Sequence, residues 1–258
     1  NSFIGPISIL NNQKLTFLGI DKNIGLSSIA LFNHNLLNDT TITFSIGEDS
    51  NKRFISEGIF EFSNANYIYG HFDDLQPGER VKGFIRKWSK DFSVELGFWN
   101  YGESGSLSIG SLEVTRDSHF VFTLNRTDVG PGAGDALKLI KTDTLGDIIT
   151  EKIIEDSDYE RSDRGSLVND GEDNFYFSHY RYDTCNISKI DSNLDSIYWT
   201  LNFPTDYFPF DRNYEVSELL MAANGDILVS GLVNYVHDDI ERAHSSFIAR
   251  MRQDGNIE

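Results

Sequence analysis

Cysteine is almost absent from this 258-residue chain, which contains Cys185 alone. A single cysteine excludes an intramolecular disulfide, a cysteine-based metal cluster and a redox pair of thiols. The chain also has no apolar run of the roughly 18 residues that a membrane-spanning helix requires. Its first residues do not show the charged and then apolar pattern of a signal peptide. We therefore predict no membrane insertion and no dependence on disulfides.

Positive charge is scarce as well, because 22 lysines and arginines stand against 40 aspartates and glutamates, which gives a formal net charge of −18. Nucleic-acid binding depends on clustered basic side chains that neutralise phosphates. The charge balance therefore argues against a nucleic-acid partner and against anionic membrane surfaces. It favours solubility, and it permits basic partners or Ca²⁺ at clustered carboxylates.

Helical periodicity is missing throughout, whereas a stretch of about 50 residues recurs five times. Each copy begins with a small residue ahead of a short apolar strand. These entry residues are Gly5, Gly58, Gly110, Gly165 and Ser217. A second set of small residues ends the second strand of each copy, in phase with the first set: Gly19, Gly70, Thr123, Ser178 and Gly231. A fixed period of this length is typical of repeat architectures, in which each unit buries its apolar face against a neighbour.

Four short runs of β-branched and aromatic residues, separated by polar turns, make up each copy. The alternation of such runs with turn residues predicts antiparallel hairpins. Four strands per copy, repeated five times, predict an all-β fold, a β-propeller with five four-stranded blades in this chain. A β-sandwich is the alternative, but it would not require the same strand order five times. The predicted blades form a single domain and cover residues 5–46, 56–99, 108–153, 164–202 and 216–258.

Three segments, 136–149 (ALKLIKTDTLGDII), 224–231 and 247–257, resemble the blade repeats of secreted or cell-surface β-propeller proteins of Bacteroidota. The first and second copies depart from this pattern at residues 32–36 and 87–91. The shared residues occupy turn and core positions, so the resemblance implies the fold and a secreted or cell-surface location but no chemistry. The fifth copy stops where a fourth strand should begin, so we expect the chain to be part of a longer protein.

Connection lengths differ between the two ends of the predicted blades. Connections between blades, and those between second and third strands, are long, whereas the other turns are a few residues. Propellers gather binding residues on loops at one face, so the long connections mark the predicted binding face. The candidate binding residues there are aromatic: Tyr101, Phe203, Tyr207, Phe208, Phe210, Tyr214 and Tyr235.

Rigid aromatic rings serve as anchors at protein interfaces and as platforms for sugar rings. We therefore predict a non-enzymatic binding or scaffold module that engages a protein or a glycan through this face. An inward packing of the same rings, which would cap the channel of the propeller, is the alternative.

Acids on the predicted first strands leave a second function open, a carbohydrate-active enzyme that resembles a glycoside hydrolase. Such enzymes use paired carboxylates, and the catalytic candidates at the mouth of the channel are Glu61, Glu113 and Glu218. Glu61 and Glu113 lie three residues after their entry glycines. Glu218 is offset by two positions, which keeps the same strand face at a different depth.

No metal ligand or cofactor is predicted, although Ca²⁺ at residues 170–174 or 237–239 is an open alternative. Neither segment fits a twelve-residue calcium loop. Three histidines, His71, His179 and His237, each follow a second strand at a similar place. Equivalent positions around a ring could converge on one ligand, and the alternative is that these histidines face solvent.

Overall fold

The computed structural model describes residues 2–9, 15–21, 26–32, 38–45, 52–74, 81–102, 107–126, 135–157, 165–181, 184–202, 212–237 and 241–257. Its regular elements are nineteen strands: β1 (Ser2–Ile9), β2 (Leu15–Asp21), β3 (Leu26–Phe32), β4 (Asn38–Ser45), β5 (Lys52–Phe62), β6 (Ala65–Asp74), β7 (Lys82–Ser89), β8 (Glu95–Tyr101), β9 (Leu107–Val114), β10 (Phe120–Arg126), β11 (Asp135–Thr142), β12 (Ile148–Ser157), β13 (Leu167–Asn169), β14 (Phe175–Arg181), β15 (Thr184–Ile190), β16 (Ile197–Asn202), β17 (Arg212–Met221), β18 (Ile227–His237) and β19 (Glu241–Met251). Within these ranges there is no helix long and apolar enough to cross a membrane.

The strands form five sheets, and within each sheet the strands lie in chain order. Four sheets have four strands each, β1 to β4, β5 to β8, β9 to β12 and β13 to β16, and β17 to β19 form a three-stranded sheet. The predicted four-stranded unit is therefore confirmed for four copies. In the fifth copy, the described residues show only an isolated bridge between Met251 and Ile257 where a fourth strand was predicted.

The chain divides into two compact units, Asn1–Ile109 and Gly110–Glu258. In the first unit, Phe54 packs against Phe72 and Phe84 with ring centroids 5.1 and 5.3 Å apart. The guanidinium of Arg86 lies 4.6 Å from the centre of the Phe54 ring and 4.8 Å from that of Phe98.

In the second unit, two apolar clusters are each shared by neighbouring sheets. The first joins the third and fourth sheets through residues such as Leu139 and Phe177, and the second joins the fourth and fifth through Ile187 and Val229. Each sheet thus buries a face against the next, as the repeat predicts.

Four of the five entry residues lie inside the first strands instead of opening them, and Gly165 precedes β13 by two residues. Gly58 follows a register shift at which Glu57 is the extra residue of β5, and Ser217 is the extra residue at the corresponding shift in β17. A β-bulge of this kind bends a strand without ending its pairing. The first strands were predicted to follow the entry residues, but β5 and β17 begin well before them, at Lys52 and Arg212.

The small residues on the second strands allow the first strands to approach closely. Gly70 pairs with Ser56, and a Cβ atom at Gly70 would lie 2.1 Å from the carbonyl oxygen of Ile55. Because backbone cannot yield as a flexible side chain does, only glycine fits at this position.

In the third sheet, Thr123 takes the corresponding place and uses its hydroxyl group. Its Oγ1 accepts a hydrogen bond from the backbone N–H of Ser111 (3.0 Å) and donates one to the carbonyl of Gly165 (2.8 Å). Ser111 Oγ in turn donates to the carbonyl of Leu167 (3.3 Å). These bonds join the first strand of the third sheet to the chain segment that begins the fourth.

Turns between first and second strands repeat one geometry in the second unit. The N–H of Thr115, Asp170 and Ala222 each donates to the carbonyl four residues later, at 2.9, 3.0 and 2.8 Å. The fourth residue of each turn has a positive φ, at Ser118, Asp173 and Gly225. The turns of the repeat therefore have a structural role.

Candidate functional site

The first strands run from one end of their sheets to the other. At one end of each sheet lie the connections to the neighbouring sheets and the connection between the second and third strands. We call this the long-connection end. The opposite end, with turns such as 63–64, 115–119 and 170–174, is the short-turn end.

Glu61 lies at the short-turn end of β5, opposite Asn66. Its carboxylate is largely buried and forms an ion pair with Lys90, with 3.0 Å between Oε1 and Nζ. Lys90 belongs to the turn that follows β7. A carboxylate that is neutralised by a lysine from a turn of its own sheet is most simply a structural group.

Glu113 is also at the short-turn end, two residues before the turn residue Thr115. Burial raises the pKa of its carboxyl to about 7. No residue in the described part of the chain forms a hydrogen bond or an ion pair with this carboxyl. A carboxyl that keeps its proton near neutral pH has the property that a general acid needs.

Glu218, the third candidate acid, is exposed on β17 and pairs with Ser230. It lies four residues before its turn residue Ala222, whereas Glu113 lies two residues before Thr115. The predicted difference in depth is therefore seen. The structure places Glu61 and Glu113 away from the long-connection end at which the sequence analysis put the binding face.

A different polar cluster lies at the long-connection end of the first unit. His71 on β6 has its Nδ1 3.1 Å from Ser108 Oγ and 3.4 Å from Glu57 Oε1. Glu57 is the extra residue of the bulge in β5, and Ser108 is the second residue of β9. The side chain of Glu57 is 6% exposed and that of His71 is 14% exposed. We call these three residues the His71 cluster.

The His71 cluster is not a serine–histidine–acid relay. In such a relay the nucleophile and the acid bond to opposite nitrogens of the imidazole, but here both approach Nδ1. The arrangement holds the ring in place. Sequence reasoning identified His71 but missed Glu57 and Ser108, because only the bulge and the start of β9 bring them to the ring.

His179 occupies the position in the fourth sheet that His71 occupies in the second, one residue after Ser178 and Gly70 respectively. Its Nε2 lies 2.9 Å from Ser188 Oγ, and its ring packs on Phe177 with 5.3 Å between centroids. His179 is 7% exposed, so this histidine is part of the sheet interior.

The prediction of three equivalent histidines is wrong for His237. This residue is the last of β18, six residues after Gly231, and Leu232 occupies the equivalent place. Two of the three histidines therefore share a position in the repeat.

The predicted aromatic residues have different positions. Tyr101 ends β8 and is 5% exposed, so within the first unit its ring is packed instead of presented to solvent. Tyr214 and Tyr235 lie on β17 and β18, opposite Val233 and Arg212, and not in loops. Phe203, Tyr207, Phe208 and Phe210 lie outside the described residues. Ligand binding by this aromatic set stays a prediction.

Asp170, the first residue of the acidic segment 170–174, caps its own turn. Its Oδ1 accepts hydrogen bonds from the N–H groups of Glu172 and Asn174 at 2.8 and 3.0 Å, and its Oδ2 is 3.3 Å from Lys189 Nζ. Across the described ranges, no group of three or more histidine, cysteine, aspartate or glutamate side chains gathers to hold a metal. Of the segment 237–239, only His237 lies in those ranges.

No family model and no curated protein matches this sequence. Solved structures do match the fold. A thermostable family-43 glycoside hydrolase is 10% identical with a TM-score of 0.54, and the match covers 100% of this chain and 93% of that one. The xylan β-1,4-xylosidase from Bacillus halodurans C-125 is 11% identical with a TM-score of 0.52, over 99% of this chain and 54% of that one.

The Dos1 propeller is 10% identical with a TM-score of 0.52, over 99% of this chain and 66% of that one. The chain thus spans about half of the xylosidase. These likenesses, together with the repeated sheets, show that the chain has an all-β propeller fold.

Proposed function

We propose that this propeller is a non-enzymatic binding module of a secreted or cell-surface protein and that it engages a neutral glycan at its long-connection end. One observation carries the proposal. The buried His71 cluster lies at that end, whereas Glu61 and Glu113 lie at the short-turn end. Polar side chains held in fixed positions at the loop end of a propeller are suited to ligand binding.

Two features support a glycan as the ligand over a protein. One similar fold is named as a glycoside hydrolase and another as a xylan β-1,4-xylosidase, so proteins with this fold include enzymes named for carbohydrate substrates. A neutral sugar also tolerates a surface with a net charge of −18, which would repel an anionic ligand.

We further propose that the chain contributes five blades, counting the three-stranded sheet as the fifth. The turn Ala222 to Asp226 repeats the hydrogen bonding of the corresponding turns in the third and fourth sheets, and the turn Arg252 to Asn256 repeats that of the corresponding turn in the third sheet. The same turn pattern indicates the same strand order.

The proposal is tested by screening the whole chain on a glycan array and measuring any binding by calorimetry. We expect binding of a neutral glycan that Glu57→Gln weakens, because this variant changes the His71 cluster. The matched control is Glu172→Gln, the same chemical change at an exposed turn residue. Equal loss of affinity in both variants, or no glycan bound at all, would contradict the proposal.

A glycoside hydrolase is the second candidate function, and Glu113 is the observation that favours it. With its pKa raised to about 7 by burial, Glu113 could supply the proton to a leaving group as a general acid. Hydrolysis of a polysaccharide that is lost in Glu113→Gln would support this function. Glycan binding without turnover on a panel of polysaccharides would exclude it.

A further inference from the structure

The two nitrogens of the His71 ring have different surroundings. Nδ1 faces the carboxylate of Glu57 at 3.4 Å and the hydroxyl of Ser108 at 3.1 Å. A carboxylate can only accept hydrogen bonds, so the lone pair of an unprotonated Nδ1 would repel the carboxylate oxygen of Glu57. The Glu57 carboxylate thus favours the Nδ1–H tautomer of the neutral ring, in which Nε2 carries the lone pair.

Nε2 has no hydrogen-bond partner among the described residues. The ring is more exposed than the carboxylate that holds it, at 14% against 6%. A carboxylate beside one imidazole nitrogen orients the ring. The His71 cluster thus presents one oriented hydrogen-bond acceptor at the long-connection end.

The backbone fixes this arrangement. The bulge in β5 places Glu57 beside the ring, and the absence of a side chain at Gly70 lets β5 and β6 approach at the residue that precedes His71. A ring fixed by strands needs little further ordering when a ligand binds, which favours affinity.

We propose that His71 Nε2 is the ligand-contacting atom of the glycan site and accepts a hydrogen bond from a hydroxyl group of a neutral sugar. This inference rests on the proposed function and names the atom at which the ligand is held. The nearby Glu57 carboxylate and the net charge of −18 disfavour an anionic ligand. A basic peptide is the competing ligand class, because its N–H groups could donate to the same atom.

The first test measures the tautomer directly by NMR of the imidazole nitrogens in the ¹⁵N-labelled whole chain at mildly alkaline pH. We expect His71 to show a protonated Nδ1 and an unprotonated Nε2, and we expect Glu57→Gln to weaken this preference. The opposite tautomer in the wild-type chain would overturn the inference. This arm needs no variant to fold.

The second test adds xylohexaose and any neutral oligosaccharide found on the array. We expect the Nε2 resonance to move on binding, and we expect His71→Phe, which keeps a ring but removes the acceptor, to lose about tenfold or more in affinity. Glu172→Gln should bind as the wild type does, and circular dichroism should show that both variants fold. Added salt should leave the affinity unchanged, because a neutral sugar is not held by charge.

The failures of the two proposals are distinguishable. A glycan that binds while Nε2 stays unmoved and His71→Phe retains full affinity would overturn this inference and leave the proposed function standing. Absence of any glycan binding would overturn both. Binding of basic peptides alone, weakened by salt, would overturn the ligand class.

Discussion

Replacing Thr123 with valine should destabilise the fold through hydrogen bonds alone, since the side chain keeps nearly the same shape. Thr123 is fully buried, and its hydroxyl accepts from the N–H of Ser111 and donates to the carbonyl of Gly165. Thr123→Val leaves both backbone groups without this partner. Each buried unpaired group costs about 1–3 kcal/mol, so we expect the two together to lower the free energy of unfolding by about 2–6 kcal/mol.

Urea denaturation of the whole chain measures this loss. With a slope of about 2–3 kcal/mol per molar urea, the midpoint should fall by about 1–2 M. Thr150→Val is the matched control, because Thr150 lies on β12, is only partly buried and has no hydrogen bond from its hydroxyl among the described residues. A shift in Thr123→Val no larger than in the control would refute the role we assign to this hydroxyl.

Three further predictions concern a glycine between two strands, a buried acid and the cap of a turn. Gly70→Ala should lower the free energy of unfolding by at least about 2–3 kcal/mol, because its Cβ would meet the Ile55 carbonyl at 2.1 Å. Gly97→Ala is the control, since its Cβ would meet only the Trp99 side chain. Equal thermal stability of the two variants would contradict this prediction. Burial raises the pKa of Glu113 from 4.5 to about 7, so between these pH values the native state binds more protons than the unfolded state. The stability of the wild-type protein should therefore fall by up to about 3 kcal/mol as the pH rises through this window. Glu113→Gln should lack that fall, and parallel pH profiles for both proteins would argue against it. Asp143→Ala should cost about 1 kcal/mol, because Asp143 Oδ1 accepts from the N–H groups of Leu145 and Asp147; an unchanged urea midpoint would show that this cap contributes nothing.

The sequence predicted the repeat well because turn chemistry and strand alternation are local properties. The small residues Gly70, Thr123 and Ser178 do stand where first and second strands approach closely. Strand starts were less well predicted, since a bulge such as the one at Glu57 leaves no clear signal in a single sequence.

The candidate site was predicted less well because it depends on contacts between distant residues. Ser108 meets His71 across 37 positions of the chain, and no local pattern marks such a pair. For the acids, the spacing along the strands could be predicted from the local sequence. Glu61 and Glu113 share a register, but that register runs to the short-turn end, where Lys90 neutralises Glu61.

The central claim is that ligand binds at the long-connection end and not at Glu113. Hydrogen–deuterium exchange of the whole chain, with and without a glycan identified on the array, tests this claim most directly. We predict that the ligand slows exchange in peptides covering residues 52–57, 71–74 and 107–109. Slower exchange confined to peptides covering residues 110–119, around Glu113 and the turn that follows it, would contradict the account.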